Sequence, residues 1–148
     1  MIRVSVTGHR ELFHDSSEIE SSFLKYILSF NDNIVVNTGM ALGFDLLVAE
    51  TCLRNNIPYN AILPFEDHLK TNELFQILKE GAKQVIIVNS GPFEIWKYFS
   101  RDKWLVDNAE HLYAYLIKQG KSGTKATVGY AVKKSIPIKY FNSKELDE

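Results

Sequence analysis

A glycine-containing turn between a predicted strand and a predicted helix could hold an anion. The turn covers residues 37–45 and lies between the apolar run 34–36 and an apolar-periodic run that begins at Leu46. Such a turn presents unpaired backbone N–H groups at the positive end of the helix dipole, where phosphate binds. Gly39 and Gly43 would let the backbone approach a phosphate or adopt positive φ. Because the turn is neither GxGxxG nor a Walker A loop, a tight turn without a ligand is the alternative.

Charged residues near this turn offer further polar contacts. Arg10 follows the first predicted strand, where it could clamp a phosphate or form a structural ion pair, for instance with Asp45. Asp45 lies in the first turn of its predicted helix, where the helix dipole favours an acid. Because a carboxylate repels phosphate, we expect Asp45 to orient Arg10 or to accept from a ribose hydroxyl. Arg101 and Asp102 form either a surface ion pair or a ligand contact.

A second glycine-containing turn, residues 118–123, precedes the last predicted helix. Ser122 is placed to cap that helix, and Gly123 and Thr124 open it. This turn is either a simple helix cap or a second anion-binding helix start.

The remaining reactive residue types do not predict a metal site. Cys52 is the only cysteine, which excludes an intrachain disulfide and a cysteine-cluster metal site. We expect Cys52 to be a buried structural thiol. His9 and His14 are too isolated to be metal ligands. An aromatic cluster has two interpretations, core packing or base stacking, and consists of Trp96, Tyr98, Phe99 and Trp104.

Strands and helices are predicted to alternate along the chain. The strands are expected at 2–6, 34–36, 59–63, 84–88, 111–117 and 137–141, and the helices at 15–30, 43–55, 69–81, up to 108 and 124–135. This order indicates an α/β fold with a mostly parallel sheet of about six strands and helices on both faces. Ligands of such sheets bind beyond the carboxyl ends of the strands, which is where the two glycine-containing turns lie.

Size and charge exclude several functions. The chain has 148 residues, about one domain, and a net charge of −1. This balance argues against nucleic acid as a partner, because binding a phosphate backbone needs a basic surface. No apolar run approaches the about 18 residues of a membrane span, and no signal peptide precedes the first strand. We therefore expect a cytoplasmic protein with no membrane partner.

Five short motifs resemble one known superfamily in their order. They are Thr-Gly-His-Arg at 7–10, Thr-Gly-Met-Ala-Leu-Gly-Phe-Asp at 38–45, Pro-Phe at 64–65, Ser-Arg-Asp-Lys-Trp-Leu-Val-Asp at 100–107 and Ser-Gly-Thr at 122–124. With them the chain resembles the SLOG superfamily, a Rossmann-like group of nucleotide-derivative binders, over nearly its whole length. It looks most like the YpsA-type branch and is distantly similar to the LOG (lysine-decarboxylase-like) and DprA proteins. The resemblance implies a single Rossmann-like domain over residues 1–148.

The resemblance also implies a pocket for a nucleotide-like ligand, with no cofactor and no metal. Relatives bind or process nucleoside monophosphates, NAD-derived or ADP-ribose-type molecules and, in one branch, single-stranded DNA. The expected ligand-binding residues are Gly8, His9, Arg10, Gly39, Met40, Ala41, Gly43, Asp45, Pro64, Arg101, Ser122, Gly123 and Thr124.

The enzymatic branch of the superfamily carries a Gly-Gly-x-Gly-Thr-x-x-Glu motif whose glutamate takes part in cleaving an N-glycosidic bond. This chain has Thr127 at the position of that glutamate and lacks the first two glycines. Threonine supplies neither acid/base catalysis nor oxocarbenium stabilisation, so no catalytic residue is predicted. Glu50 or Glu66 could substitute only if the fold directs one of them inward.

Three hypotheses follow from these residues. The first is a module that senses or sequesters a nucleotide-derived small molecule such as an ADP-ribose or cyclic-ADP-ribose-type ligand. The second is a hydrolase of an N-glycosidic bond in a nucleotide or NAD-type substrate, and the third is a single-stranded DNA-binding module. A homodimer or higher homo-oligomer is compatible with all three, with the aromatic segment 93–104 as an apolar interface.

Overall fold

Strands and helices alternate along the whole described part of the chain. The computed structural model describes residues 1–118 and 120–143. In this part the strands are β1 (Ile2–Gly8), β2 (Ile34–Thr38), β3 (Tyr59–Leu63), β4 (Gln84–Ile87), β5 (His111–Tyr115) and β6 (Ile138–Tyr140). The helices are α1 (Ser16–Ile27), α2 (Phe44–Arg54), α3 (Glu73–Gly81), α4 (Trp96–Asp107) and α5 (Gly123–Lys133).

The six strands form one parallel sheet in the order β4-β3-β2-β1-β5-β6. The chain runs from β1 to one edge of the sheet through β2, β3 and β4, and β5 then pairs with the free side of β1. The strand order therefore reverses between β1 and β5, where ligands of open α/β sheets bind. This topology confirms the predicted α/β fold with a parallel sheet and a Rossmann-like arrangement.

An apolar core lies on each face of the sheet. Helices α1, α2 and α3 contact one another in turn, and α4 contacts α5. Tyr113 and Tyr115 of β5 pack into the core under α1 to α3, whereas Leu112 and Ala114 pack into the second core beside α4 and α5. This alternation is the two-residue period of a strand whose two faces are both buried. None of the helices in the described residues is long and apolar enough to cross a membrane.

The largest differences from the predicted helix ends are in α1 and α3. Helix α1 ends at Ile27 rather than residue 30, and the Asp15 side chain at its N-cap makes no capping hydrogen bond. Helix α3 begins at Glu73 rather than residue 69, because Leu69 has a φ of 50°, which a helix cannot accommodate. The Asn72 side chain caps α3 by accepting from a backbone N–H group of its first turn.

The turns after β1 and β2 pack directly against each other. Gly43 has a φ of 87°, as expected for this turn, and a β-carbon there would overlap the carbonyl oxygen of Arg10. The backbone N–H of Phe44 donates to the carbonyl oxygen of His9 over 3.1 Å. A β-carbon at Gly8 would likewise overlap the ring of Phe44. The backbone of these two turns therefore requires glycine at both positions, whether or not a ligand binds.

We predict that Gly43→Ala destabilises the fold by at least ~1–3 kcal/mol, because the new side chain adds backbone strain and displaces Arg10. Gly129→Ala in α5 is the matched control, since a β-carbon there has nothing within 4 Å. It should raise stability by up to ~1 kcal/mol, as usual for a helical glycine. Urea unfolding measures both changes. Equal stability of Gly43→Ala and the wild type would contradict the tight contact between the two turns.

Candidate functional site

A cleft of about 360 Å³ lies at the carboxyl ends of β1, β2 and β5, at the point where the strand order reverses. Its lining combines backbone N–H groups, hydroxyls, two arginines and two carboxyls. The lining residues are Thr7, Gly8, His9, Arg10, Ala41, Asp45, Tyr98, Arg101, Asp102, Ser122, Gly123 and Thr124. Nine of the thirteen residues that the sequence predicts as ligand-binding are among them.

The other four predicted residues shape the loops behind the cleft. Gly39 lies against Arg101, because a β-carbon there would be 2.8 Å from the guanidinium. Met40 is fully buried with a φ of 58°, and Gly43 forms the tight turn described above. Pro64 accepts a hydrogen bond of 3.1 Å through its carbonyl oxygen from the side chain of Asn89. These four residues do not line the cleft, so their role in the structure is to support its walls.

One end of the cleft is suited to an anion. Arg10 is exposed, and its guanidinium carbon lies 5.7 Å from the centre of the Tyr98 ring. Among the described residues no ion pair joins Arg10 to Asp45, so the structural pair that was the alternative to a phosphate clamp is not formed between these two residues. Ser122 caps α5 as predicted and accepts from the backbone N–H of Lys125 over 3.0 Å. The first N–H groups of α5, at Gly123 and Thr124, therefore lie beside the same cleft as Arg10.

Gly123 differs from the glycines of the other two turns. A β-carbon at Gly123 would meet nothing within 4 Å, whereas one at Gly8 would overlap Phe44. Gly123 is also not among the glycines with positive φ. Packing within the protein therefore does not require glycine at this position, and any side chain here would occupy space beside the cleft.

Arg101 is buried in the wall of the cleft and is bonded within the fold, so it does not form the expected surface ion pair. Only 4% of its surface is exposed. Its Nε donates to Asp102 over 2.8 Å, and its Nη1 donates to the carbonyl oxygens of Gly39 and, over 3.3 Å, Ile62. Arg101 therefore joins α4 to the ends of β2 and β3 while it forms part of the cleft wall.

Asp45 lies in the wall of the cleft with one carboxyl oxygen unpaired. It is only 6% exposed, and its Oδ2 accepts a long hydrogen bond of 3.4 Å from the backbone N–H of Ala41. Its Oδ1 is buried and has no hydrogen-bond partner among the described residues. Burial raises the pKa of Asp45 from 3.8 to about 7, although the charge of Arg101 acts in the opposite direction.

A second carboxyl, that of Asp102, lies beside Thr127, which stands where the enzymatic branch of the superfamily has a glutamate. Thr127 is buried, and its hydroxyl lies 2.9 Å from the carbonyl oxygen of Gly123 and contacts Asp102. Burial raises the pKa of Asp102, while Arg101 and Thr127 hold it down. Neither Glu50, which pairs with Arg54 within α2, nor the exposed Glu66 lines the cleft. The carboxyls at the cleft are therefore Asp45 and Asp102.

His9 has a structural role that its sequence position did not indicate. Its Nε2 accepts two hydrogen bonds of 3.1 Å, from the backbone N–H groups of Ile117 and Lys118. Burial lowers the pKa of His9, and the charge of Lys118 lowers it further. The imidazole is therefore neutral with its proton on Nδ1, and it ties the turn after β1 to the segment after β5.

His68 also supports the site and was not singled out from the sequence. Its Nε2 lies 2.9 Å from the carbonyl oxygen of Met40, so it carries the proton and donates. Burial lowers the pKa of His68 from 6.5 to about 4, although that hydrogen bond raises it. No local pattern signals this role, because the partner lies 28 residues away in the sequence.

Core packing is the wrong interpretation for much of the aromatic cluster. Trp96 and Phe99 are exposed, and Trp104 is half-buried. With Lys103 these three residues line a shallow groove on the outer side of α4. Tyr98 lines the cleft, where its ring packs against Phe65, His68 and Phe93 and lies under the guanidinium of Arg10.

We predict that His68 makes stability fall in acid. Its folded pKa lies below the unfolded value, so the unfolded chain binds the extra proton more readily, and stability is lost as pH falls from 6.5 to about 4. The loss corresponds to at most ~3 kcal/mol. His68→Gln keeps a donor for Met40 but cannot take up a proton, so its stability should fall less over this range.

Urea unfolding between pH 7 and pH 4 compares the two proteins. The control is His111→Gln, which replaces a half-buried histidine at the start of β5. Because this variant keeps His68, it should lose as much stability in acid as the wild type. If the free energy of unfolding falls equally with pH in the wild type and in His68→Gln, protonation of His68 does not cause the loss.

No family model matches the chain, and no curated protein is similar enough to indicate a family. Solved structures with the same fold are known. DNA processing protein A (DprA) of Streptococcus pneumoniae has a TM-score of 0.75 at 17% identity, over 94% of this chain and 50% of that one. The DprA of Helicobacter pylori, described for its single-stranded DNA binding mode, has a TM-score of 0.74 at 19% identity, over 94% of this chain and 64% of that one.

The molybdenum cofactor carrier protein of Chlamydomonas reinhardtii is similar at a TM-score of 0.60 and 14% identity, over 94% of this chain and 75% of that one. This chain thus spans between half and two thirds of the length of the two DprA proteins. At these identities the likeness shows the fold alone, which is Rossmann-like.

Proposed function

We propose that the cleft binds a nucleotide-derived small molecule through its phosphate and that the protein senses or sequesters this molecule. The main support is that Arg10 and the amino end of α5 line one cleft, at the point where the strand order reverses. A guanidinium and free helix N–H groups are the two kinds of donor that phosphate prefers. Membership of the YpsA-type branch, with an ADP-ribose or cyclic-ADP-ribose-type ligand, is part of this proposal.

The aromatic ring in the cleft supports a ligand that carries a base. Tyr98 and Arg10 lie next to each other at the cleft, with 5.7 Å between the guanidinium carbon and the ring centre. A purine could stack on the Tyr98 ring while its phosphate reaches Arg10 and Gly123. The cleft volume of about 360 Å³ lies within the range of small-molecule sites.

Hydrolysis of an N-glycosidic bond is a second candidate, favoured by the two carboxyls at the cleft. Asp45 and Asp102 both have raised pKa values because of burial, as expected of groups that exchange protons near neutral pH. Asp102 contacts Thr127, so its carboxyl lies close to the position where the enzymatic branch has its glutamate. This candidate predicts that the bound molecule is cleaved, whereas a capture module returns it intact.

Single-stranded DNA is a third candidate, and the likeness to the DprA of Helicobacter pylori weakens the expectation that nucleic acid is not a partner. The net charge of −1 averages over the whole chain and hides a local basic surface. Arg10, Lys118, Lys121 and Lys125 all lie on or beside the two turns at the cleft. Binding of an oligonucleotide that weakens steeply with added salt would support this candidate.

A cytoplasmic location and self-association also belong to the proposal. Phe93, Trp96 and Phe99 expose between 43% and 58% of their surfaces on one segment of the chain, as an interface between copies would require. Sedimentation of the wild type and of Trp96→Ser at several protein concentrations tests this interface.

We predict that a panel of AMP, ADP-ribose, cyclic ADP-ribose and NAD contains a ligand that raises the melting temperature. Arg10→Ala should weaken the binding of that ligand by about 10- to 100-fold, because it removes a charged donor to phosphate. Gly123→Ala should keep the melting temperature of the free protein and lose the ligand-induced shift, because its methyl group occupies open space beside the cleft.

Arg3→Ala is the matched control, since Arg3 is an exposed arginine within β1 that pairs with Glu110 away from the cleft. It should bind like the wild type. Recovery of the ligand after incubation then separates capture from hydrolysis. A full-sized shift in Arg10→Ala, or no shift with any phosphate compound in the wild type, would contradict the proposed function.

A further inference from the structure

One carboxyl oxygen of Asp45, in the wall of the cleft, has no hydrogen-bond donor among the described residues. Asp45 is 94% buried, being 6% exposed, and it lines the cleft together with Arg10 and the start of α5. Its Oδ2 is directed to the N–H of Ala41, and its Oδ1 meets no donor among residues 1–118 and 120–143. A buried carboxyl oxygen without a donor costs free energy, so its placement in the wall of a binding cleft calls for a donor from outside the chain.

The fold holds this carboxyl rigidly where it is. The hydroxyl of Thr38 donates over 3.0 Å to the backbone carbonyl of Asp45, and the N–H of Leu46 donates over 3.2 Å to the carbonyl of Ala41. Both ends of the loop 38–46 are therefore tied to each other. These bonds fix the backbone of Asp45, and the N–H of Ala41 holds its Oδ2, so the carboxyl stays in the wall of the cleft.

The nearby cations do not satisfy this oxygen. Arg101 lowers the pKa of Asp45 through its charge, but its Nε and Nη1 donate to Asp102, Gly39 and Ile62. No ion pair within 4.0 Å joins Asp45 to Arg10 or Arg101 among the described residues. A phosphate group would be repelled by a carboxylate, so a neutral donor suits Oδ1.

We propose that Asp45 is a specificity-determining residue that accepts a hydrogen bond from a hydroxyl group of the ligand. The inference rests on the proposed function, because it takes Arg10 and the start of α5 as the phosphate site. It assigns the ligand to the phosphorylated ribosides with a free sugar hydroxyl. A deoxyribose compound leaves Oδ1 unpaired in a cleft that the ligand has closed to water, and it binds more weakly for that reason.

Calorimetry with AMP, 2′-deoxy-AMP and 3′-deoxy-AMP tests the assignment on the wild-type protein. Ribose 5-phosphate is included, because it has the phosphate and the hydroxyls without a base. At least one deoxy compound should bind about 10- to 100-fold more weakly than AMP, the usual effect of losing a hydrogen bond to a charged acceptor. Equal binding of all three adenylates would overturn the inference, because the donor would then be a base amine or water.

Asp45→Ala provides the second arm. It should bind the three adenylates within about threefold of one another, and it should bind inorganic phosphate at least as well as the wild type, because a repulsive charge is gone. Persistence of the preference in Asp45→Ala would assign the hydroxyl to another residue and overturn the inference. Asp45→Asn, which keeps an oxygen for Ala41, replaces it if the alanine variant does not fold.

Failure of the phosphate site and failure of the hydroxyl contact at Asp45 give different binding results. If neither inorganic phosphate nor any phosphorylated compound binds the wild type, the proposed function is wrong and the inference falls with it. If AMP binds and Arg10→Ala abolishes binding, the phosphate site stands. The comparison of deoxy compounds then decides the role of Asp45 alone.

Discussion

The contact between the turn after β1 and the turn after β2 determines the shape of the whole site. Gly43 lies directly on the carbonyl of Arg10, and Phe44 donates to the carbonyl of His9. Gly8 leaves room for the Phe44 ring, which in turn stacks 5.3 Å from the Tyr115 ring of β5. The three central strands are therefore locked together at their carboxyl ends. This contact directs Arg10 and Asp45, which belong to different turns, into one cleft.

The charges around the cleft form two layers with different roles. Arg101 donates to Asp102 and to the carbonyl oxygens of Gly39 and Ile62, so it holds α4 against the ends of β2 and β3. Arg10 is exposed and bears its charge at the front of the cleft. Asp45 also lines the cleft, and burial raises the pKa of its carboxyl to about 7.

The features that could be predicted from the sequence are those that depend on local signals. Alternating strands and helices follow from apolar runs and turn residues, and the cap at Ser122 follows from its place before a helix. The positive φ of Gly43 likewise follows from its turn. Nine predicted residues meet at the cleft because parallel strands end at one edge.

The features that could not be predicted depend on distant partners. Arg101 bonds to Gly39, which is 62 residues away, and His9 bonds to Lys118, which is 109 residues away. No local pattern tells whether such a side chain will face a ligand or another part of the chain. Both residues are buried at the cleft, and both form hydrogen bonds within the protein through side chains that the sequence predicts as ligand contacts.

The mixture of charges at the cleft bears on which class of ligand suits the site. The buried Asp45 and the half-buried Asp102 line the same cleft as the anion donors at Arg10 and Gly123. A polyanion that ran through this cleft would bring further phosphates near the carboxyls, which costs free energy at short range. A small phosphate ester places its one anionic group at the donors and turns its neutral hydroxyls toward the carboxyls. On electrostatic grounds the cleft therefore favours a small ester over a nucleic-acid backbone, which would have to bind on the basic residues outside it.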